Sequence, residues 1–458
     1  MHQYWDDNPS GSSVDSYSIS AIVSDNDRGV GSATTTVQVS NLAPTLTLDD
    51  ITAKSADGHV SVAGVYADVG TLDTHTAIVD WGDGTAPEPI NLDELAGTVS
   101  GSHEYARGGV FPITITLTDD DGGTTTAITA ATVQGVGVVG DTLYVIGTDS
   151  RDAVNISLYG ANLRVQSRLG GGPQTTNWLP TSSVQSIFVL GCDGHDDIRL
   201  SAVVTQDATL DGGGGNDVLY TARGSDDVSG GPGNDTIKTY GGDDTVDGGD
   251  GVDRIWTHHG EDEIDAGDGN DYVYSGDDND TVRAGDGNDL VQSGAGNDYI
   301  DAGDGNDVVR AGAGDDHIVG GTGDDRLEAG SGDDIALGGE GDDTIYGSTG
   351  RDILIAGGGV DRVYGGADDD LLIAGSTTFD TDRDALKSIR DEWTRSTGYS
   401  TRVADLSSGS TTSAPLNSAN VTDDTALDRL YGQSGNDWFL ASLSDTTDQS
   451  EAEALHRF

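Results

Sequence analysis

From residue 212 to residue 373 the chain repeats one nine-residue phrase through 18 blocks, with no insertion or deletion. Residues 266–292, for example, divide into AGDGNDYVY, SGDDNDTVR and AGDGNDLVQ. Every block has Asp in its sixth place and an aliphatic residue in its eighth, as in Asp271 with Val273, Asp280 with Val282 and Asp289 with Val291. A solvated acidic run would keep no such register. Glycines concentrated at the first, second and fourth places permit positive φ, so six residues can turn sharply and aim their carbonyls at one point. The remaining three residues make a strand too short to bury a core alone. Copies must therefore stack, each eighth-place side chain on its equivalent in the next coil.

A second period of two blocks is visible. Odd blocks keep the glycines (GGGGND, GGPGND, GGDGVD, AGDGND), whereas even blocks begin degenerate (TARGSD, TYGGDD, THHGED, SGDDND) and improve later to SGAGND, AGAGDD and AGSGDD. The spacing predicts an 18-residue coil with one turn on each edge, and nine coils stacked at strand spacing give a rod roughly 43 Å long. One edge should carry a complete row of carboxylates, the other a partial row favouring its C-terminal half. Residues 212–373 hold 39 Asp+Glu and 8 Lys+Arg, a net of 8 − 39 = −31. Eighteen turns, each paired with the turn two blocks on, give 18 − 2 = 16 inter-turn positions. Divalent cations there would bring +32 and nearly cancel the array's charge, so 16 is a ceiling.

GGPGNDTIK (230–238), GGTGDDRLE (320–328) and GGEGDDTIY (338–346) fit the pattern GGxGxDxUx. The array thus resembles the RTX family of calcium-binding nonapeptide repeats, which fold as parallel β-rolls. The resemblance implies multiple bound Ca²⁺, held by turn carbonyls and sixth-place carboxylates. Calcium takes 6–8 oxygens at roughly 2.3–2.6 Å, which two stacked turns can supply. The expected ligands on the odd edge are Asp217, Asp235, Asp253, Asp271, Asp289, Asp307, Asp325, Asp343 and Asp361. On the even edge they are Asp244, Asp280, Asp298, Asp316, Asp334, Asp352 and Asp370. In SGDDND, Asp278 stands where Gly is expected, which either strains the loop or adds a ligand.

Ahead of the array, residues 1–134 show period-2 strand signals punctuated by Asp-Gly and Gly-Gly turns. Trp81-Gly82-Asp83-Gly84, His103-x-Tyr105 and the following Asp-rich turn resemble PKD domains, which are immunoglobulin-like β-sandwiches. The likeness covers 44–134 well. His2-Gln3-Tyr4 and the strands after it echo its second half, so 1–43 reads as a C-terminal half and the chain as the tail of a longer polypeptide. Residues 135–211 read as an irregular start to the solenoid. Within them GVGVVG (135–140) matches the dinucleotide fingerprint in letters only, because a strand pattern follows it instead of a helix. At the other end, TDRDALKSIRDEWTR predicts a helix at about 382–395, with Leu386, Ile389 and Trp393 on one face. The repeat resumes at 423–440, and 374–458 reads as a solenoid cap built on Leu386, Trp393, Trp438 and Phe439.

The fold class is therefore all-β: PKD-like sandwiches, then a parallel β-solenoid, then a small helix-containing cap. The formal charge of −58 argues against nucleic acid as a partner, no apolar stretch reaches the length of a membrane span, and the single Cys192 excludes an intrachain disulfide. There is no HExxH, GxSxG, P-loop or CxxC constellation, so no enzyme is expected. The leading expectation is a calcium-folded structural and adhesion module of an extracellular or cell-surface protein, with surface glycans or other surface proteins as partners. One alternative is the export and stabilising module of a secreted enzyme whose catalytic domain lies upstream. Another is a carbohydrate-binding module using the rings of Tyr220, Trp256, Tyr274, Tyr346 and Tyr364.

Overall fold

The computed structural model describes residues 14–28, 30–51, 54–69, 73–409, 414–449 and 453–457. The chain forms two compact units, Met1–Ile146 and Gly147–Phe458.

In the first unit, two four-stranded sheets make a sandwich. One runs Thr124–Val133, Gly109–Asp119, His75–Asp80, Glu88–Pro89; the other Thr45–Leu48, His59–Ala67, Thr98–Glu104, Asn91–Asp93. FPITITLTD alternates as its period demands: Phe111, Ile113, Ile115 and Leu117 are fully buried while the threonines between them are not. The motif residues hold this core together. Trp81 is buried, the Tyr105 hydroxyl donates to the Trp81 carbonyl at 2.9 Å, and His103 stacks on Trp81 and meets Asp83 at 2.9 Å. Val14–Ser24 and Val30–Ser40 pair as a two-stranded antiparallel ribbon; His2 and Tyr4 lie outside the described residues. GVGVVG contributes the strand Gly135–Val139, which hairpins onto Thr142–Ile146 and opens no helix.

The second unit is a parallel β-solenoid. Each strand pairs in register with the strand one coil on: Tyr272 with Leu290, Val273 with Val291, Tyr274 with Gln292. Eighth-place residues of both sheets point inward and are dry, with Val273, Val282 and Val291 all at 0% exposure. The glycines are required where coils touch. At Gly287, φ is +143° and an added Cβ would lie 1.4 Å from the Gly269 carbonyl oxygen, so no ordinary side chain fits.

The repeat resumes without loss of register after the interruption: Val363 pairs with Leu430 and Leu372 with Phe439. The intervening segment forms two helices, α1 (Arg383–Trp393) and α2 (Tyr399–Ser408), where the sequence predicted one at about 382–395. Asp382 caps α1 by accepting from the Ala385 N–H at 3.0 Å. The helices lie on the flank of one sheet, and Thr446–Thr447 and Ala454–Arg457 supply the last strands. Leu386, Ile389, Trp393 and Leu406 cover Ile335, Leu337, Ile353, Ile355, Leu371 and Ile373, which are the seventh and ninth places of even blocks. Those places face outward and are polar in most other blocks. Trp393 is fully buried and donates from Nε1 to the Asp369 carbonyl at 2.9 Å. Trp393→Ala should cost about 3–5 kcal/mol locally. Limited proteolysis should then cut within 374–422 while the circular dichroism of the solenoid persists; equal protease resistance in the variant would contradict this packing.

Candidate metal centre

Two ladders of buried carboxylates run along the edges of the solenoid. On the odd edge, the backbone N–H of each sixth-place Asp donates to Oδ1 of the Asp one coil on. The chain runs from Asp217 through Asp235, Asp253, Asp271, Asp289, Asp307, Asp325 and Asp343 to Asp361, at 2.7–2.8 Å. The even edge repeats this from Asp226 through Asp244, Asp262, Asp280, Asp298, Asp316, Asp334 and Asp352 to Asp370, at 2.8–3.0 Å. One oxygen of each carboxylate is thereby fixed, and the other lies beside the first-place residue of its own turn, as Asp325 Oδ2 does at Gly320 and Asp343 Oδ2 at Gly338.

That second oxygen decides the chemistry. Every sixth-place Asp of 212–373 except Asp226 has a buried Oδ2 without a hydrogen-bond partner. On the even edge, where burial raises the carboxyls of Asp244, Asp262, Asp280 and Asp298, the hydroxyls of Thr239, Thr257, Ser275 and Ser293 come close enough to lower them in part, but they donate to the carbonyl one coil on. A buried carboxylate oxygen without a donor is costly, and a row of them demands cations or protons. Burial, followed by the neighbouring Asp charges, pushes the Asp235, Asp271, Asp280 and Asp307 carboxyls up to about 7, and those of Asp316, Asp343 and Asp352 up to about 8. Asp226 differs because its Oδ2 accepts from the Ala222 N–H at 3.3 Å within TARGSD.

The ladders continue beyond the array. Asp152 donates to Asp196 and Asp196 to Asp217; at the other end Asp361 reaches Asp428, Asp370 reaches Asp437, and Asp428 reaches Asp445. Asp196, Asp428 and Asp437 carry the same donorless Oδ2. The two end members of the odd ladder do not: Asp152 Oδ2 accepts from Thr148 N–H at 2.6 Å, and Asp445 Oδ2 from Ser442 N–H at 2.7 Å. The signal for Asp152 and Asp196 was present in GTDSRDAVN (147–155) and GCDGHDDIR (191–199), which have Asp sixth and Val or Ile eighth. Residues 200–211 put 12 residues in place of nine, and this three-residue shift of register separates the second from the array and hides it. Asp262, which is not among the expected ligands, also has the donorless oxygen, so the even row runs unbroken from Asp244. His258 takes glycine's second place there with φ 80°.

Outside the carboxylates, fifth-place Asn and Asp form a second, exposed clasp. Asn288 N–H donates to Asn270 Oδ1 at 2.7 Å and Asn306 N–H to Asn288 Oδ1 at 2.8 Å. In SGDDND, Asp278 adopts φ 80° with its side chain exposed, so its cost is backbone strain. Asp280 still presents its unpaired Oδ2. Ninth-place rings meet one another, Arg or other rings: Tyr346, Tyr364 and Tyr431 stack at 4.9 and 5.0 Å, the Arg199 and Arg326 guanidiniums lie over Tyr220 and Tyr346, Trp256 tilts on Tyr272, and Tyr274 is edge-on to His258.

Fold and site define a class: a parallel β-solenoid whose edges offer hard-oxygen cages, fitted to a divalent cation such as calcium. The RTX calcium-binding nonapeptide repeat family matches the chain at 206–237, 239–273, 274–309, 301–336, 310–345, 337–372 and 423–445. Residues 206–372 and 423–445 therefore carry RTX repeats, and RTX repeats bind Ca²⁺ in the β-roll. Comparison with curated proteins finds no match.

Proposed function

We propose that this chain is a calcium-folded structural and adhesion module of an extracellular or cell-surface protein, without catalytic activity of its own. The observation that carries the reading is the run of donorless Oδ2 atoms along both edges, set against protein donors at both ends of the odd ladder and at Asp226, where the even ladder begins. Where the chain supplies an N–H, no cation is needed; everywhere else an ion must do that work. The ions are assigned to Asp217, Asp235, Asp253, Asp271, Asp289, Asp307, Asp325, Asp343 and Asp361 on one edge. On the other they fall to Asp244, Asp262, Asp280, Asp298, Asp316, Asp334, Asp352 and Asp370, with Asp196, Asp428 and Asp437 extending the rows. Bound calcium supplies positive charge and oxygen coordination; the chain's own residues supply the pre-aimed carboxylate, held by the N–H of the coil before it.

Calorimetric ion counting tests the assignment. Asp244→Ala should lower the calcium stoichiometry and raise the midpoint for folding, while Asp226→Ala should leave the stoichiometry unchanged. Equal losses in the two variants would show that the donorless oxygen does not mark the ion sites. Cell or glycan attachment that requires millimolar calcium supports the adhesion role; a secreted hydrolase domain encoded immediately upstream would favour the export reading.

A further inference from the structure

The β-sandwich unit holds a second set of carboxylates unrelated to the repeats. Asp73 precedes the strand His75–Asp80, and Asp120 and Asp121 form the turn after Gly109–Asp119; antiparallel pairing of these strands, with His75 opposite Asp119, brings the three together. One carboxylate oxygen from each lies within 4.8 Å of the others. Oxygens bound to one Ca²⁺ at roughly 2.3–2.6 Å can be at most about 5 Å apart, so the cluster has the right size.

Proximity of acids alone would mean little, and the decisive residue is Asp121. It is 5% exposed, and both its carboxylate oxygens are buried without a hydrogen-bond partner. Its neighbours are already committed. Asp119 accepts from Gly123 N–H at 2.7 Å and from Asn41 Nδ2 at 2.8 Å. Asp120 Oδ1 accepts from Thr74 N–H at 3.1 Å, which points that turn back toward Asp73. The nearby imidazole of His75 is held by Asp68 at 2.8 Å and Glu94 at 3.1 Å. Among the described residues no Lys, Arg or His forms an ion pair with Asp120 or Asp121. A buried carboxylate with neither donor nor counter-ion is strongly destabilising. We propose that Asp73, Asp120 and Asp121 bind a calcium ion that locks the Asp120–Gly123 turn to the start of the His75–Asp80 strand, independently of the repeat array.

Hydrogen exchange of the full chain, titrated with calcium and read by peptide mass spectrometry, separates the two kinds of site. In the wild type, peptides spanning 73–80 and 114–126 should exchange about tenfold more slowly at millimolar calcium, within the affinity range of extracellular modules. Asp121→Asn should abolish that calcium response while peptides from 266–310 still become protected. Asp120→Asn, at an exposed position that tolerates change, should shift the midpoint to higher calcium without altering protection in chelator. Calcium-independent protection of 73–80 and 114–126 in the wild type overturns the proposal, as does an unchanged calcium response in both variants.

Discussion

Stripping calcium from the protein is expected to abolish most of the β-sheet signal contributed by residues 212–373. Chelation should melt the array cooperatively, and millimolar calcium should restore it. The reason lies in what remains when the ions leave. The segment carries a net −31, and away from the helix-covered flank its dry apolar core is little more than one eighth-place aliphatic residue per nine, with small first-place residues such as Ala266 and Ala284 beside it. Three-residue strands such as Thr281–Arg283 cannot offset the backbone entropy of ordering their turns. Each site at tenfold excess of ligand over Kd contributes about 1.4 kcal/mol, so about 16 sites sum to roughly 20 kcal/mol. That exceeds the net stability of an ordinary domain, which is about 5–15 kcal/mol. Circular dichroism in chelator and in 5–10 mM calcium would decide it. An unchanged spectrum, with few ions released on chelation, would falsify the assignment of the edges as folding-linked ion sites.

The second large effect is a reversal of pH dependence on calcium removal. In the metal-free roll, burial and neighbouring Asp charges raise the carboxyls of Asp235, Asp244 and Asp307 to about 7, and those of Asp316 and Asp343 to about 8. An unfolded Asp titrates near 4. Between these values the folded metal-free roll binds more protons than the unfolded chain, so its stability rises as pH falls from 8 towards 4 and is lost as pH rises through 7–8. With calcium present the sign inverts. Protons and calcium compete for the same oxygens, and the apparent calcium affinity should fall about tenfold or more between pH 7.5 and 5.5. Dialysed, metal-free protein should therefore regain β signal on acidification, while the calcium midpoint moves to higher concentration over the same interval. A metal-free roll that loses structure on going from pH 8 to 5 would contradict the buried, donorless state of these carboxylates.

Much of this was legible in the letters. The strict return of Asp and an aliphatic residue every nine positions specifies turn, strand and stacking direction, because φ freedom, inward packing and hard-oxygen ligation each need one residue type at one place. The period-2 pattern of the N-terminal region was readable as strands, and Trp81, His103 and Tyr105 meet in the core of the sandwich those strands form. Similarity of letters was a weaker guide within the array. TARGSD and THHGED look about equally degenerate, yet Asp226 finds the Ala222 N–H and Asp262 finds no donor for Oδ2. That difference depends on where one backbone N–H points, which the repeat pattern does not encode.

The flank of the even sheet shows the same division. Ile335, Leu337, Ile353 and Ile355 break the outward polar pattern in the sequence itself, and Leu386, Ile389 and Trp393 announce an amphipathic helix. Sequence alone determined that both surfaces are apolar and need cover, because apolar area drives burial without regard to partner. Only the tertiary structure decided that they cover each other, and that the interrupted coil closes again behind them. A nondirectional force says what must be buried; the chain's path, held by the unbroken pairing of Val363 with Leu430 and Leu372 with Phe439, says against what.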